Sequence, residues 1–459
     1  MSYADFLSRK RLDFAPSGID DPPQLSAKMF PFQRDITRWA LRIGRSAIWA
    51  DCGLGKSWMA LEWARCVAAH TGQPVLILTP LAVAQQFVAE GDKLGIVATH
   101  VTETTTDTIQ VCNYEKLHRL DVSAYGGVVL DESSVLKDYT SKTRNALIES
   151  FVATPFRLCC TATPAPNDFI ELGNHAEFLG AMTRPEMLAM FFVHDGGSTQ
   201  NWRLKGHASE DFWRWLSAWA VNLKTPADLG YDDTGYDLPP LDIKHHVVVA
   251  DGAEVARNAG LLFASEAKTL SAQRAARKAS LMDRVKLCAD MVNGSSEAWL
   301  VWCDLNAESD ALAKAIPDAV EVAGRHDTTL KEARMWGFTN GEHRVIVTKP
   351  SIAGHGMNWQ HCARVAFVGV SHSFEQWYQA IRRCWRFGQT MPVNCHVITS
   401  EQEGAVVDNL HRKHKDAERL TRGMVEHMAD MSREQLGQTK RTQTAYDANI
   451  EMRIPAWLV

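Results

Sequence analysis

The chain has 459 residues, 46% of them hydrophobic, and a net charge of −5 at neutral pH. At a typical ~150 residues per domain, this length allows about three domains with real cores. No run approaches the ~20 apolar residues of a membrane-spanning helix, and MSYADFLSRKRLDF at the N-terminus lacks the apolar centre of a signal peptide, so a soluble cytoplasmic protein is expected. The charge balance excludes a bulk basic field for nucleic acid. Ten scattered cysteines without a CxxC pair argue against a zinc site or disulfide framework and read as small buried side chains.

In chain order, residues 1–27 read as an N-terminal extension. From 28 to 178, short apolar runs alternate with helical stretches: Ala47–Trp49, a helix over Trp58–Ala69, then Val75–Leu78, Val128–Leu130 and Phe156–Cys160. That rhythm predicts a parallel sheet covered by helices. Residues 179–245, rich in Met, Phe and Trp and then in Asp, Gly and Pro, predict a helical insertion and linker that end the first lobe. Within it, Phe212, Trp213, Trp215, Leu216, Trp219 and Ala220 fit one helix with a wide apolar face, for which core packing is favoured over a base-stacking wedge. Arg203, Lys205 and His207 just before it are candidates for phosphate contact. A second series, Ala298–Cys303, Val345–Val347, Val365–Val368 and Cys395–Ile398, predicts another α/β lobe over 246–403. Near its start, residues 254–292 are the most basic stretch, with Arg274, Arg277, Lys278, Arg284 and Lys286, where a solvated helix face has even standing. Residues 404–459 read as a helical extension of mixed charge that closes on a loop-like tail.

Three motifs carry chemistry. Ala50-Asp51-Cys52-Gly53-Leu54-Gly55-Lys56-Ser57 follows a strand and opens a helix, the context of a phosphate loop. Gly53 and Gly55 let backbone N–H groups face a phosphate, Lys56 supplies a point charge, and the Ser57 hydroxyl suits Mg²⁺. About 75 residues on, Asp131-Glu132 follows the strand Val128–Leu130. Asp131 is expected to hold Mg²⁺ and Glu132 to orient and deprotonate an attacking water. Finally, Gln379 precedes Arg383 and Arg386; on a helix these two arginines share a face and suit the neutralisation of γ-phosphate charge across a cleft.

Further stretches resemble, in order, those of superfamily 2 helicases, most closely Swi/Snf-like translocases and phage or prophage relatives of the DEAD/DEAH-box type. Pro31-Phe32-Gln33 resembles the adenine-reading glutamine motif, and Leu78-Thr79-Pro80 the motif that contacts the nucleic-acid backbone. Val111–Leu117, with Asn113 and Tyr114, resembles a strand-end motif of the family. Thr161-Ala162-Thr163-Pro164 is similar to the motif that couples hydrolysis to movement. Thr348–Trp359, including Gly356, and Gln379–Gln389 are similar to the two conserved stretches of the second lobe. The chain departs from the remodellers at Ser133-Ser134, where they have Ala-His, at Trp385, where they have His, and at Ala162, where they have Gly.

The resemblance implies an α/β fold of two RecA-like lobes, with a helical insertion between them and a C-terminal helical tail. It also implies ATP and Mg²⁺ as cofactors and an ATP hydrolase that moves along nucleic acid, with duplex DNA the expected track and a phage role in replication, recombination or repair. If phage-encoded, it works in the bacterial host cytoplasm. Single-stranded DNA or RNA as the track, and an ATPase subunit that loads or remodels other proteins, are the alternatives. Nucleic-acid contacts fall to Thr79, Pro80, Asn113, Tyr114 and Thr348, with Arg203 and Lys205 added from the insertion. The lone histidines His355 and His361 read as structural.

Overall fold

The computed structural model describes residues 14–80, 83–194, 202–249, 277–354, 357–369, 373–401 and 404–437. Gly356, His355, Arg274 and the tail 447–459 lie outside these residues. Two parallel sheets flanked by helices organise the chain. The first takes β1 (Arg45–Ala50), β2 (Val75–Thr79), β3 (Thr99–His100), β4 (Ile109–Asn113), β5 (Gly127–Asp131), β6 (Phe156–Cys160) and β9 (Ala220–Leu223), in the order β3-β4-β2-β5-β6-β1-β9. A small antiparallel hairpin, β7 (Phe192–His194) and β8 (Trp202–Leu204), stands apart. The second sheet takes β10 (Leu241–Val248), β11 (Trp299–Cys303), β12 (Ala319–Val322), β13 (Val345–Thr348), β14 (Arg364–Val368) and β15 (Val393–Ser400), in the order β10-β15-β14-β11-β13-β12.

The helices used below are α1 (Pro31–Ile43), α2 (Lys56–Thr71), α3 (Leu172–Leu179), α4 (Arg184–Phe191), α5 (Ser209–Ser217), α6 (Leu281–Asn293), α7 (Asn306–Ala315), α8 (Phe374–Ile381) and α9 (Gly404–Gln435). In α1, proline at the first turn presets the backbone, and Phe32, Ile36, Trp39, Ala40 and Ile43 fall on one buried stripe. The strands β2, β4 and β6 are buried along their whole length, because helices cover both faces of the sheet. Register then sets the site: Ile48 of β1 and Asp131 of β5 both pair with Cys160 of β6, so three strand ends finish at one edge. One strand separates the phosphate-loop strand from the carboxylate strand.

Several expectations about the middle of the chain change. The sheet continues past residue 178, since β9 pairs with β1, whereas β10, from the same 179–245 segment, pairs with β15 of the second sheet. The aromatic helix stops at Ser217; Trp219 and Ala220 instead lead into β9, where a fully buried position beside β1 suits an extended chain. All of Phe212, Trp213, Trp215, Leu216 and Trp219 are buried in the core, not presented as a wedge. Nor is the basic stretch simply a solvated face: Arg284 and Glu308 form a fully buried ion pair between α6 and α7, and Arg277 pairs with Asp304. Lys286, paired with Asp290, is exposed.

The C-terminal helix α9 follows the second sheet but packs on the first lobe. Met424 and Met428 belong to the same apolar cluster as Trp213, Trp215 and Trp219. The His427 ring stacks on Trp213 at 5.0 Å, and Trp39 donates to Gln435 at 2.9 Å. Met428→Ala is therefore expected to destabilise the first lobe by about 2–4 kcal/mol, through lost burial and a cavity. Urea unfolding checks this; an unchanged midpoint would mean that α9 is not part of that core.

Candidate functional site: the cleft between the lobes

The phosphate loop runs from Ala50 to Lys56 between β1 and α2. Gly53 and Gly55 have φ of +90° and +79°, conformations that strain any residue with a side chain. Contact adds a second reason. A Cβ on Gly55 would lie 2.2 Å from the Gln33 amide nitrogen, and one on Gly53 would lie 3.0 Å from Phe387 of the other lobe. The Lys56 ammonium turns back into the loop, donating to the carbonyls of Ala50 (2.7 Å) and Asp51 (3.2 Å). Gln33 is buried, with its Nε2 donating to the Leu54 carbonyl and its Oε1 accepting from the Phe30 N–H, each at 3.0 Å. In this state the amide braces the loop.

At the end of β5, Asp131 and Glu132 project beside this loop. Burial and then the neighbouring Glu132 charge push the Asp131 carboxyl up to about 7, although Lys56 and Arg383 pull the other way. Glu132 is the only non-glycine with positive φ among the described residues, at +58°. A left-handed conformation costs such a residue roughly 1–2 kcal/mol, so the surroundings must hold it. They do so through its Oε1, which accepts from the Thr161 hydroxyl at 2.6 Å and the Ser134 hydroxyl at 2.9 Å. Thr161 in turn accepts from the Thr163 N–H at 3.0 Å. Ser133 bonds the buried His175 of α3 at 3.1 Å, and the Tyr114 hydroxyl donates to the Asp131 carbonyl at 2.8 Å. Where the remodellers carry histidine, this chain thus has a hydroxyl that turns onto Glu132.

Across the cleft, α8 ends at Ile381, so Arg383 and Arg386 sit in the turns that follow it and not on a helix as expected. They remain together, because both guanidinium groups donate to the Met357 carbonyl, at 3.3 and 3.4 Å. Arg383 also donates to the Gln379 carbonyl at 2.9 Å. Burial lowers the Arg383 pKa; burial and repulsion from Arg383 bring Arg386 down to about 10. The field of Glu132 reaches Arg383 between the lobes. Gln379 is 1% exposed, yet neither atom of its amide has a partner among the described residues. Burying an amide without a partner costs free energy.

The expected nucleic-acid contacts do not form an exposed row. Thr79 and Thr348 are fully buried, and their hydroxyls donate to the carbonyls of Pro80 and Val322. Asn113 is buried and donates to the Pro80 carbonyl, while Tyr114 is engaged with Asp131 as above. These polar side chains sit at strand ends, where neighbouring backbone carbonyls satisfy them. Lys205 caps the end of α4 by donating to the carbonyls of Ala189 and Met190; Arg203 is exposed on β8.

Sequence reasoning gave no role to Asp51, Tyr378 or Arg382, which join the lobes. The Tyr378 hydroxyl donates to Asp51 at 3.0 Å, and Arg382 bonds the same carboxylate at 2.7 Å. The available signal was an acid in one motif and a third arginine in the other. Tyr236 and Phe387, with ring centroids 4.6 Å apart, were also missed. Phe30 packs edge-on to both. A cavity of about 470 Å³ lies between the lobes beside Asp51, Cys52, Tyr378 and Arg382.

Comparison with known proteins adds distant relatives. No protein-family model matches the chain. It is 24% identical over 436 residues to "Putative protein p41" of Acyrthosiphon pisum secondary endosymbiont phage 1, covering 81% of this chain and 92% of that protein. Among solved structures it is similar to the Sulfolobus solfataricus SWI2/SNF2 ATPase core in complex with dsDNA. That match has 17% identity and a TM-score of 0.41, and covers 91% of this chain and 97% of the other. Such a likeness is too loose to carry a functional reading, which rests on the cleft itself. No helix among the described residues is long and apolar enough to cross a membrane.

The raised Asp131 pKa has a consequence for stability. Because the folded value, about 7, exceeds the ordinary carboxylate value, the protonated form favours folding; that contribution is present at low pH and lost as pH rises through about 7. Without nucleotide or Mg²⁺, Asp131→Asn is expected to be the more stable protein at pH 8, by on the order of 2 kcal/mol, with the gap closing towards pH 4. Urea unfolding at the two pH values tests this; parallel pH profiles would contradict it.

Proposed function

We propose that the chain is an ATP hydrolase of the Swi/Snf-like, superfamily 2 kind, which works between its two lobes and moves along nucleic acid, with duplex DNA the track. The observation that carries this reading is the carboxylate pair Asp131-Glu132 facing Lys56, with Arg383 and Arg386 contributed by the other lobe. A binding module has no need of all five. The preference for DNA over RNA rests on the motif resemblance, and a phage role on the same resemblance together with the distant phage relative.

The residues fit a nucleotide and a divalent ion. Burial and the Glu132 charge raise Asp131, a carboxylate environment that suits a cation, and the Ser57 hydroxyl opens α2 beside the lysine. Ser57 and Asp131 would hold Mg²⁺, which would supply positive charge at the phosphate oxygens. Gly53, Gly55 and Lys56 bind phosphate through backbone N–H groups and the ammonium. Gln33, which holds the Leu54 carbonyl, would read the base. Glu132 acts as general base towards water, with its Oε1 fixed by Thr161 and Ser134. Arg383 and Arg386 leave the Met357 carbonyl to neutralise developing phosphate charge, and Gln379 supplies its unpartnered amide. Because Thr161 touches both Glu132 and the next turn, it transmits the state of the site to the rest of the lobe.

Movement follows if the lobes change separation once per turnover. The helix α9, anchored in the first lobe's core, limits how far they part. Contacts to phosphate and sugar predict little sequence preference and a strong salt dependence.

Glu132→Gln is expected to bind ATP as the wild type does and to lose turnover by at least about 100-fold, since general-base catalysis contributes on that scale. Thr161→Val, which removes both hydrogen bonds of the hydroxyl, is expected to cost about tenfold, with Thr161→Ser close to wild type. A fluorescent nucleotide for binding and phosphate release for turnover make the two measurements. Normal turnover in Glu132→Gln would refute the assignment of the base.

A further inference from the structure

The contact between the lobes is built around one carboxylate. Asp51 Oδ1 accepts from the Cys52 N–H at 2.7 Å and from the Tyr378 hydroxyl at 3.0 Å, and its Oδ2 accepts from Arg382 Nη2 at 2.7 Å. The same Nη2 donates to the Cys52 carbonyl at 2.8 Å. Three of these four bonds cross from one lobe to the other. The guanidinium of Arg382 is itself held in place, lying 5.1 Å from the Trp385 ring centroid and 5.7 Å from that of Tyr378. Side-chain exposure is 5% for Arg382 and 17% for Asp51, so water screens the pair weakly.

Position makes this contact more than an incidental surface pair. Arg382 immediately precedes Arg383, and Arg386 follows one turn later. Arg383 and Arg386 bond Met357 of their own lobe, whereas Arg382 reaches across. At the far end of the same turn, Phe387 comes so close to Gly53 that a Cβ there would lie 3.0 Å away. The segment from Tyr378 to Phe387 therefore lies along the outer limb of the phosphate loop from Asp51 to Gly53.

We propose that Arg382 and Tyr378 are positioning residues: through Asp51 and the Cys52 carbonyl they dock the turn carrying Arg383 and Arg386 on the phosphate loop, holding the lobes in register before nucleotide enters. The proposal rests on the ATPase reading above. Burial opposes the charge on Arg382, but the adjacent Asp51 carboxylate outweighs it and keeps the guanidinium firmly protonated. Loss of either partner strands the other charge in an enclosed place, so the two residues should act as a unit. Lysine at 382 keeps the charge but lacks the planar guanidinium that lies near the Trp385 and Tyr378 rings.

The test is a double-mutant cycle on the full-length chain, using Arg382→Gln, Asp51→Asn and the pair, together with Arg382→Lys. Each single variant is expected to lower kcat for ATP about tenfold while KM moves by less than about threefold, with the double variant no slower than the worse single, as expected for coupled groups. Arg382→Lys should recover part of the loss. Hydrogen–deuterium exchange on the nucleotide-free protein supplies a readout independent of turnover: Arg382→Gln should speed exchange across residues 51–54 and leave the two sheets unchanged. Independent, multiplicative losses in the cycle, or unchanged exchange at the loop, would overturn the proposal. A wild-type chain without ATPase activity, combined with faster loop exchange in the variant, would instead remove the ATPase reading and keep the docking contact.

Discussion

Two carboxylates side by side at a strand end, partly enclosed and facing a lysine, are the constraint on which the rest of the site depends. The fold cannot keep both ionised at low cost, and the elevated Asp131 carboxyl expresses that conflict. Every neighbouring device can be read as a response to it. Glu132 is held in a left-handed backbone conformation by two hydroxyls, Tyr114 ties the carbonyl of Asp131, and the arginines of the second lobe bring positive charge to the opposite wall. On the proposed reading, a bound cation and phosphate would relieve that cost. Stability is given up for function in this way where strain or like charges collect at one site.

The arginines show a complementary tension. Arg383 and Arg386 both lean on one carbonyl, burial lowers the pKa of each, and the Arg383 charge lowers that of Arg386 further. Gln379 is buried with its amide unsatisfied among the described residues. Arg382, by contrast, has a carboxylate partner in Asp51, shares the same Nη2 with the Cys52 carbonyl, and lies near two aromatic rings. The division of labour is legible in the chemistry: one arginine fastens the wall, and its two neighbours are left poised. With α9 rooted in the first lobe, the two sheets are tied at two separate places, so relative motion is confined to a limited range.

Much of this was visible in the sequence because the motifs are linear and each is flanked by an apolar strand. The phosphate loop after β1, Asp131-Glu132 after β5 and Thr161 after β6 could be placed by strand ends alone, and register then brings them to one edge. What escaped depends on pairing between distant segments. Asp51 and Arg382 are each ordinary within their own motif and meet only when the lobes face each other. Trp219 and Ala220 continue a helical apolar pattern, yet the vacant sheet position beside β1 claims them for a strand. Thr79 and Thr348 have the residue type for phosphate contact, but backbone carbonyls within reach consume their hydroxyls. Arg284 carries a charge that composition assigns to the surface, until Glu308 supplies a buried partner.

We propose that this cleft hydrolyses ATP and that nucleic acid stimulates the turnover. Steady-state phosphate release by the purified chain with Mg²⁺, measured alone and with duplex DNA, single-stranded DNA or RNA, beside Lys56→Ala as the inactive control, addresses it most directly. Slow basal turnover, strong stimulation by duplex DNA and none in Lys56→Ala is the predicted result. Turnover that is absent under every condition, or that persists in Lys56→Ala, would contradict it.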